Sequence, residues 1–319
     1  MEKFLLAVIV IIAAVVFVTC NQDDDENTDS ESRKEVIFSS NIVKVTPTIT
    51  TRMVGNEWQS GDAIGIYMFE EASTNVVEDM KNIKYTTKTN GESGTFDAGD
   101  VTIFFPDNGD KVRFMSYYPH TESIVDETYK VNVFDQTSQS AIDLLYSFHQ
   151  ELKYDKKTPD KKVPLVFDHM LTKINIHVKS GEGLKNSDLD NIEIHFKGFE
   201  TEADFDLVTG LLSNGTNISD ITPVGISPKV DYVVSYEAII IPTDNPSTAK
   251  IVFDLKNGSG TEGEDGYIGS DVFTWNFTQD ELVKGTEYTF NVTVKRSGIV
   301  VEAKINDWIL DEEKPIDAE

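Results

Sequence analysis

A strict alternation of apolar and polar residues recurs in many segments of this chain, and it limits the fold more than any other feature. Ile174, Ile176 and Val178 alternate with polar residues, and residues 192–196 and 288–294 show the same period of two. Successive side chains of a β-strand point to opposite faces, so this period places one face on a core and the other in water. No segment sustains the longer period of an amphipathic helix. The sequence therefore predicts an all-β protein.

Shorter segments and the turns between them extend this prediction. Asn90-Gly91 is typical of a tight hairpin, because Asn-Gly tolerates the positive φ that such turns require. One short helix is predicted at residues 279–284, since Thr278 and Glu281 match a capping box. Many short strands with regular turns favour packed β-sandwiches. The other predicted strands are residues 36–45, 63–69, 101–105, 112–118, 129–134, 232–241, 249–255 and 299–305.

The length of the chain and one polar stretch predict its division into domains. A chain of 319 residues is long enough for roughly two domains. Residues 151–162, which contain Pro159 and two lysine pairs, have the composition of a linker. We therefore predict one domain over residues 36–160 and a second over residues 161–319, whose first strand begins near Val163.

The N-terminus has the pattern of an export signal. Lys3 precedes an apolar run at residues 4–18, which is shorter than the ~20 residues of a membrane-spanning helix and has the length of a signal-peptide core. Cys20, the single cysteine of the chain, follows this run. The arrangement resembles a bacterial lipoprotein, in which such a cysteine is lipidated. We predict residues 1–20 to be this signal, with lipid attachment at Cys20; the alternative is an uncleaved anchor helix or an unrelated cysteine.

Charge and composition exclude several classes of function. The 28 Lys and Arg against 55 Asp and Glu give a net charge of −27, which argues against nucleic acid and anionic membrane surfaces as partners. A single cysteine excludes an internal disulfide and multi-cysteine zinc or iron–sulfur sites within one chain. Residues 21–35 are polar and acidic, and we predict that they form an extended, disordered tether. They also resemble the acidic export signal of surface lipoproteins.

Candidate catalytic and metal-binding chemistry is sparse. His177 and His195 lie on the polar faces of predicted strands and would be able to bind a metal as cross-strand neighbours. No third ligand has a suitable spacing, so solvated surface histidines are favoured. Residues 254–265 are acidic and glycine-rich but lack EF-hand spacing. Common hydrolase, metalloprotease and phosphate-binding motifs do not occur in the sequence. We therefore predict that the protein is not an enzyme and has no cofactor or metal.

An ordered set of short motifs resembles the fimbrillin family of Bacteroidetes. Residues 58–65 (WQSGDAIG) resemble its W-x-x-G-D-x-I-G segment, and residues 167–173 (FDHMLTK) resemble its F-x-H-x-L-(S/T)-K segment. Residues 141–146 (AIDLLY), 285–292 (GTEYTFNV) and 303–308 (AKINDW) also match in order. Each motif is short, but together they span most of the predicted folded body behind a lipoprotein-like signal.

This resemblance implies both a fold and a function. Members of the family have two tandem transthyretin-like antiparallel β-sandwich domains and form surface pili (type V) as stalk, tip or anchor subunits. They are exported as lipoproteins to the outer membrane. In the best-understood branch, an arginine-specific protease cuts near the N-terminus, the first strand leaves, and a strand of another subunit replaces it by β-augmentation. The implied partners are other pilus subunits, the outer membrane through the lipid anchor, and host or bacterial surface ligands.

The same resemblance makes two arginines candidate maturation sites. Arg33 lies in the polar tether and is the more accessible of the two, whereas Arg52 follows the first predicted strand. Cutting after Arg52 would release residues 36–45, which we expect to be a removable edge strand, and cutting after Arg33 would leave that strand in place. The alternative is that neither arginine is cut and the protein stays a lipid-anchored monomer.

The motif residues also have purely structural explanations. Gly61 and Gly65 would allow a turn into a strand and a close approach of another part of the chain, and Asp62 would cap that turn. His169 is expected to satisfy a buried backbone group or to pack beside Lys173. Three apolar motif residues are expected in the core: Trp58, Phe167 and Leu171.

Two other functions remain alternatives. A surface lipoprotein that binds a glycan or a host protein without polymerising would expose an aromatic patch, for example at Tyr117, Tyr118 and Tyr146, although core positions are favoured for all three. A hydrolase built on a β-sandwich would need a pocket with a pair of carboxylates of perturbed pKa, and no such pair stands out in the sequence.

Overall fold

The computed structural model describes residues 33–42, 57–91, 93–256 and 272–307. In these ranges the chain forms eighteen β-strands, one α-helix of a single turn (Gln139–Ile142) and three 3-10 helices (Pro159–Lys161, Asn186–Leu189 and Pro246–Thr248). The prediction of an all-β protein is confirmed. In chain order the strands are β1 (Ile37–Ile42), β2 (Ala63–Glu70), β3 (Ile83–Thr87), β4 (Ser93–Ala98), β5 (Val112–Tyr118), β6 (Thr128–Asn132), β7 (Leu145–Ser147), β8 (Lys162–His169), β9 (Thr172–Ser180), β10 (Glu193–Asp206), β11 (Leu211–Leu212), β12 (Thr216–Ile221), β13 (Val224–Ile226), β14 (Val234–Ile240), β15 (Lys250–Asp254), β16 (Val272–Asn276), β17 (Thr286–Lys295) and β18 (Gly298–Asp307).

Seven strands between residues 37 and 169 form one sheet that closes on itself into a barrel. Their order is β1-β4-β3-β2-β5-β7-β8, and we call this the closed sheet. The pair β1–β8 that completes it is parallel, whereas the other pairs along this order are antiparallel. This sheet is therefore closed and not wholly antiparallel, whereas an antiparallel arrangement was expected. Closure results because β1 has a hydrogen-bonded partner on each side.

The closed sheet encloses a core rich in aromatic rings, which we call the first core. Inward-facing side chains of all seven strands contribute to it, together with residues of the connections. Burying one such side chain fully stabilises a fold by ~1.5–3 kcal/mol. The largest fully buried side chains of the first core are those of Trp58, Tyr85, Phe38, Phe105 and Phe167.

The other eleven strands form two further sheets with a second core between them. The six-stranded sheet has the order β11-β10-β15-β16, with β12 and β6 also paired to β10. The five-stranded sheet has the order β13-β14-β9-β17-β18, and its pair β9–β17 is parallel. Aromatic contacts join the two sheets: Trp275 on β16 lies 4.6 Å from Phe290 on β17, measured between ring centroids.

Strands β2 and β5 are buried on both faces because they border both cores. On β2, Ile66 and Met68 face the first core, whereas Tyr67 and Phe69 belong to the second. On β5 the whole strand Val112–Tyr118 is buried. A strand that is covered on both sides needs apolar residues on both faces, and β2 accordingly has a nearly continuous apolar run, whereas β5 also buries Arg113 and Ser116.

The sheets do not divide at residue 160, where the sequence placed a domain boundary. Strand β8 follows that position, yet it pairs with β1 and β7 in the closed sheet. Strand β6 precedes it, yet it pairs with β10 in the six-stranded sheet. The polar stretch from residue 151 is a loop attached to the closed sheet through paired backbone groups of Val112 and Tyr154. Polar composition therefore marks a loop here and does not separate the two cores.

Two local predictions are wrong. Residues 279–284 do not form a helix, because Leu282 instead pairs with Thr243 through two backbone hydrogen bonds of 2.8 and 3.0 Å and is buried. Residues 101–105 form no regular strand, and Phe104 makes only an isolated bridge with Glu35. In both places the local pattern was compatible with a regular element, but a contact distant in sequence determines the conformation.

Candidate functional site at the first strand

Strand β1 lies inside the closed sheet and not at an edge, which corrects the expectation of an edge strand. On one side it is antiparallel to β4, with Phe38 opposite Phe96. On the other side it is parallel to β8, with Phe38 opposite Val163. Removing β1 would leave a gap bordered by the backbone edges of β4 and β8. We call this gap the β1 slot.

The side chains of β1 and the residue before it alternate between the first core and the surface. Val36, Phe38 and Ser40 point inward and are buried, whereas Ile37 points outward and is 41% exposed. The ring of Phe38 makes edge-to-face contacts with Tyr85 at 5.1 Å and with Phe114 at 5.0 Å. Such aromatic pairs add ~0.5–1.5 kcal/mol beyond the area that they bury. Phe38 is therefore the main anchor of this strand.

The tryptophan of the W-x-x-G-D-x-I-G motif packs against both strands that border the β1 slot, through Phe96 of β4 and Phe167 of β8. Trp58 is fully buried and makes edge-to-face contacts with Phe96 at 5.0 Å, Tyr118 at 5.4 Å and Phe167 at 5.4 Å. Its backbone exchanges two hydrogen bonds with Gly91, of 2.8 and 2.9 Å. The core position predicted for Trp58 is confirmed, as are those of Phe167 and Leu171.

The next residues of that motif form the turn into β2. The carboxylate of Asp62 accepts a hydrogen bond of 2.7 Å from the backbone N–H of Gln59 and one of 3.1 Å from the Tyr118 hydroxyl. Gly61 has a φ of +102°, which an L-residue rarely adopts. Burial raises the pKa of Tyr118, and the negative charge of Asp62 raises it further. The turn and cap predicted for Gly61 and Asp62 are confirmed.

Three tyrosines considered as an exposed patch are core residues. Tyr117, Tyr118 and Tyr146 are 0%, 8% and 9% exposed. Gly65 lies opposite Tyr117, and a Cβ added at Gly65 would be 2.3 Å from the Tyr117 ring. The aromatic ring therefore occupies the space that a side chain at residue 65 would need, as the close approach predicted there requires.

Of the candidate lipid-attachment site Cys20 and the two candidate cleavage sites, the structure describes only Arg33. Cys20 and Arg52 lie outside the described residues. Arg33 is exposed, and its guanidinium contacts the carboxylate of Glu78, lies 3.6 Å from that of Asp107, and sits over the ring of Phe104 at 5.5 Å. The backbone after Arg33 is already paired, since Phe105 N–H donates to Lys34 O at 2.9 Å and Val36 N–H donates to Ile103 O at 3.0 Å.

The histidine of the F-x-H-x-L-T-K motif has a partner that the sequence analysis missed. His169 Nδ1 lies 3.0 Å from Asp143 Oδ1, and both residues are buried. Asp143 belongs to the A-I-D-L-L-Y segment, and the pairing of β7 with β8 brings the two motifs together. Neither alternative predicted for His169, a backbone group or packing beside Lys173, names this partner. Lys173 pairs instead with Glu237 at 3.0 Å. Asp143 is the single ionisable residue of the A-I-D-L-L-Y segment, and this was the signal available in the sequence.

The two histidines considered as metal ligands lie in different sheets and are not cross-strand neighbours. His177 is on β9, where its Nδ1 lies 2.8 Å from Ser235 Oγ, and burial lowers its pKa to about 4. His195 is on β10, with Nε2 3.5 Å from a carboxylate oxygen of Glu193. Among the described residues no group of three His, Cys, Asp or Glu is arranged to hold a metal ion. Most of the acidic loop at residues 254–265 lies outside these residues.

An acidic surface groove beside Arg33 is the described feature that comes nearest to a hydrolase pocket. Its volume is about 680 Å³. Hydrogen bonds from Ser73 and Asn75 lower the pKa of Glu70, and a hydrogen bond from Lys153 lowers that of Glu71. A catalytic acid needs the opposite shift, towards a higher pKa, so these two carboxylates do not form such a pair. The acidic residues that line the groove are Glu70, Glu71, Glu78, Asp107 and Asp110.

No helix in the described part of the chain is long and apolar enough to cross a membrane. The apolar run at residues 4–18 lies outside that part.

Comparison with known proteins identifies the family. A family model described as fimbrillin-like matches residues 51–308. A Bacteroides uniformis protein named as a fimbrium subunit, Fim1C, is 32% identical over 267 residues, which cover 82% of this chain and 82% of that protein. A crystal structure described as a cell adhesion protein from Bacteroides uniformis aligns with a TM-score of 0.69 and 27% identity over 88% of this chain and 99% of that chain. A similar structure from Bacteroides ovatus, with a TM-score of 0.65 and 23% identity over 88% of this chain and 100% of that chain, supports the fold. The resemblance seen in the motifs is thus confirmed, and the chain belongs to the fimbrillin-like family.

Proposed function

We propose that this protein is a structural and adhesive subunit of cell-surface fimbriae that assembles by donor-strand exchange. Its relatives named as a fimbrium subunit and a cell adhesion protein support this role. In this proposal the protein is exported as a lipoprotein attached through Cys20 to the outer membrane, and residues 21–35 hold it away from the bilayer. The tandem transthyretin-like arrangement remains part of the proposal, with the closed sheet as the first of its two domains.

The observation that carries the proposal is the position of β1 between β4 and β8. Departure of this strand would expose two rows of unpaired backbone groups together with the apolar site of Phe38. Unpaired N–H and C=O groups beside apolar pockets are what an added β-strand satisfies. A strand supplied by the next subunit makes a head-to-tail contact, and such contacts build a filament when they do not close into a ring.

Arg52 is the maturation site that fits this geometry. A cut after Arg52, on the C-terminal side of β1, would separate the strand from the rest of the closed sheet. A cut after Arg33 would leave β1 covalently attached to the chain. Arg33 is also engaged by Glu78 and Asp107, and the three residues that follow it run into backbone pairing. A protease must bind several residues around the cut in an extended form, so cutting at Arg33 requires this pairing to open first.

The test compares two conservative variants of the full chain. An arginine-specific endopeptidase is added to the wild type, to Arg52→Lys and to Arg33→Lys, and the products are sized by native mass spectrometry. We expect oligomers from the wild type and from Arg33→Lys, and monomers from Arg52→Lys. Monomers from all three proteins, with residues 36–45 retained, would reject assembly by strand exchange. That result would support the alternative, a surface lipoprotein that binds a glycan or a host protein without polymerising.

A further inference from the structure

The inward-facing positions of the first strand are not equally suited to the core that they enter. Val36 and Phe38 are apolar and fully buried. Ser40, the third such position, is only 3% exposed, and its Oγ has no hydrogen-bond partner among the described residues. Ser39, the residue before it, lies on the opposite face and is only partly buried. The strand thus places one unpaired hydroxyl inside an otherwise apolar site.

The partners of Ser40 on the two neighbouring strands are apolar, and aromatic rings crowd the position opposite it on β4. Across the strand on one side Ser40 faces Gly94 of β4, and on the other it faces Leu165 of β8. A Cβ added at Gly94 would lie 3.0 Å from Trp58 Cδ1 and 3.0 Å from the Phe96 ring. Two aromatic rings therefore already occupy the inward side of the opposite strand. A bulky side chain at residue 40 would compete with them for the same space.

The hydroxyl lowers the stability of the strand in its site. Burial removes it from water, and a buried polar group without a partner is unfavourable. A methyl group in the same place carries no such penalty and fills nearly the same volume. A strand with alanine in this register therefore fits the β1 slot better than the strand that the chain itself supplies.

We propose that residue 40 is the position at which the β1 slot distinguishes its own strand from the strand that replaces it. The replacing strand is an extended segment of another subunit with two bulky apolar side chains and then an alanine-sized apolar side chain at alternate positions. These three side chains occupy the sites of Val36, Phe38 and Ser40. The inference rests on the proposed strand exchange and names the chemistry of the segment that takes part in it. The unpaired serine favours exchange over rebinding of the original strand.

The binding test uses three synthetic peptides that cover residues 34–44. One has the native sequence, one carries Ser40→Ala, and the matched control carries Ser39→Ala on the outward face. None contains an arginine, so an arginine-specific endopeptidase leaves them intact. Each labelled peptide is added in excess to the full chain during digestion, and bound peptide is measured by native mass spectrometry.

Only the peptide that is changed at residue 40, the inward-facing position, is expected to bind differently from the native peptide. We expect the Ser40→Ala peptide to be captured roughly five- to tenfold better than the native peptide, which corresponds to the lower end of the usual penalty of a buried unpaired hydroxyl. The Ser39→Ala peptide should bind like the native one. Equal capture of all three would overturn the inference while leaving strand exchange intact. Capture of none, although residues 36–45 have been released, would overturn the exchange and the inference together.

A stability measurement on undigested protein tests residue 40 without any exchange. Full-length Ser40→Ala and Ser39→Ala are compared with the wild type by urea unfolding, followed by hydrogen exchange of β4 and β8. We expect Ser40→Ala to raise the unfolding midpoint and to slow exchange in these two strands, and Ser39→Ala to change neither. An unchanged or lower midpoint for Ser40→Ala would overturn the claim that its hydroxyl weakens the strand.

Discussion

The two cores of this molecule are held together in different ways. The closed sheet depends on β1, a six-residue strand near the start of the described chain that pairs with β4 and with the distant β8. The five-stranded sheet is centred on β9 and β17, which pair with each other over eight residues and each have a second partner. One sheet therefore depends on a single short segment, whereas the other distributes its pairing over long central strands. Removal of β1 alone would open the closed sheet, and the proposed strand exchange depends on this property.

The largest expected effect comes from removing the anchor of β1. Phe38→Ala should destabilise the closed sheet by about 3–5 kcal/mol, because it deletes a fully buried ring that contacts two other aromatic residues. Phe290→Ala is the matched variant in the second core. Hydrogen exchange should rise first in β4 and β8 for Phe38→Ala, and in β9 and β17 for Phe290→Ala. The contrast between the cores would fail if both variants opened the same strands.

A smaller effect tests the closest approach in the region that the two cores share. Gly65→Ala should destabilise the protein by about 1–3 kcal/mol, because the new methyl group would collide with the Tyr117 ring. Gly225→Ala on β13 is the control, since its nearest contact at 3.8 Å is an ordinary one. Thermal unfolding of both variants provides the measurement. Equal melting temperatures of the two variants would contradict this expectation. They would show that β2 and β5 can move apart to accommodate the new methyl group without loss of stability.

The stability of the five-stranded sheet should depend on pH because of His177. Its pKa is lowered from 6.5 to about 4, chiefly by burial, so between these values the unfolded chain binds a proton that the folded chain does not. Stability should therefore fall as the pH is lowered from 6.5 towards 4, by less than about 1.4 kcal/mol per pH unit. Urea unfolding of the wild type and of His177→Gln, at pH 7 and pH 5, measures this dependence. If the wild type and His177→Gln lost the same stability between pH 7 and pH 5, titratable groups other than His177 would be the cause of the loss.

The smallest expected effect is at the N-terminal end of β1. Arg33→Ala should change the free energy of unfolding by about 0–1 kcal/mol, since the ion pairs with Glu78 and Asp107 are exposed to solvent. The urea midpoint of this variant should lie close to that of the wild type. A loss of stability as large as that of Phe38→Ala would contradict this expectation. It would show that the contacts of Arg33 stabilise the closed sheet as much as the inward-facing side chains of β1 do.

Much of the fold follows from local pattern, and the exceptions have a common cause. Alternation located β9, β10 and β17, and the motif residues Trp58, Phe167 and Leu171 are buried as expected. The partners of β1, β6 and β8 could not be predicted, because pairing between strands distant in sequence leaves no local signature. The capping pattern at residues 279–284 was overridden because Leu282 is buried and paired with Thr243.

The candidate site was predictable in part. The first strand and its importance followed from the family motifs, but its place inside a closed sheet did not. The Asp143–His169 contact joins two motifs that had been recognised separately. Ser40 looks like an ordinary polar residue in an alternating strand. Its unfavourable position becomes apparent only when the register with Gly94 and Leu165 is known.

The mixed pairing around β1 gives the site a direction. Because β4 runs antiparallel and β8 parallel to it, a segment that takes its place with the same hydrogen bonds enters in one orientation only. Each junction of a polymer built this way repeats that orientation. A fibre assembled by the proposed strand exchange would therefore be polar, with one terminus that presents an empty groove and another that presents an unused strand, so growth and capping would take place at chemically distinct ends.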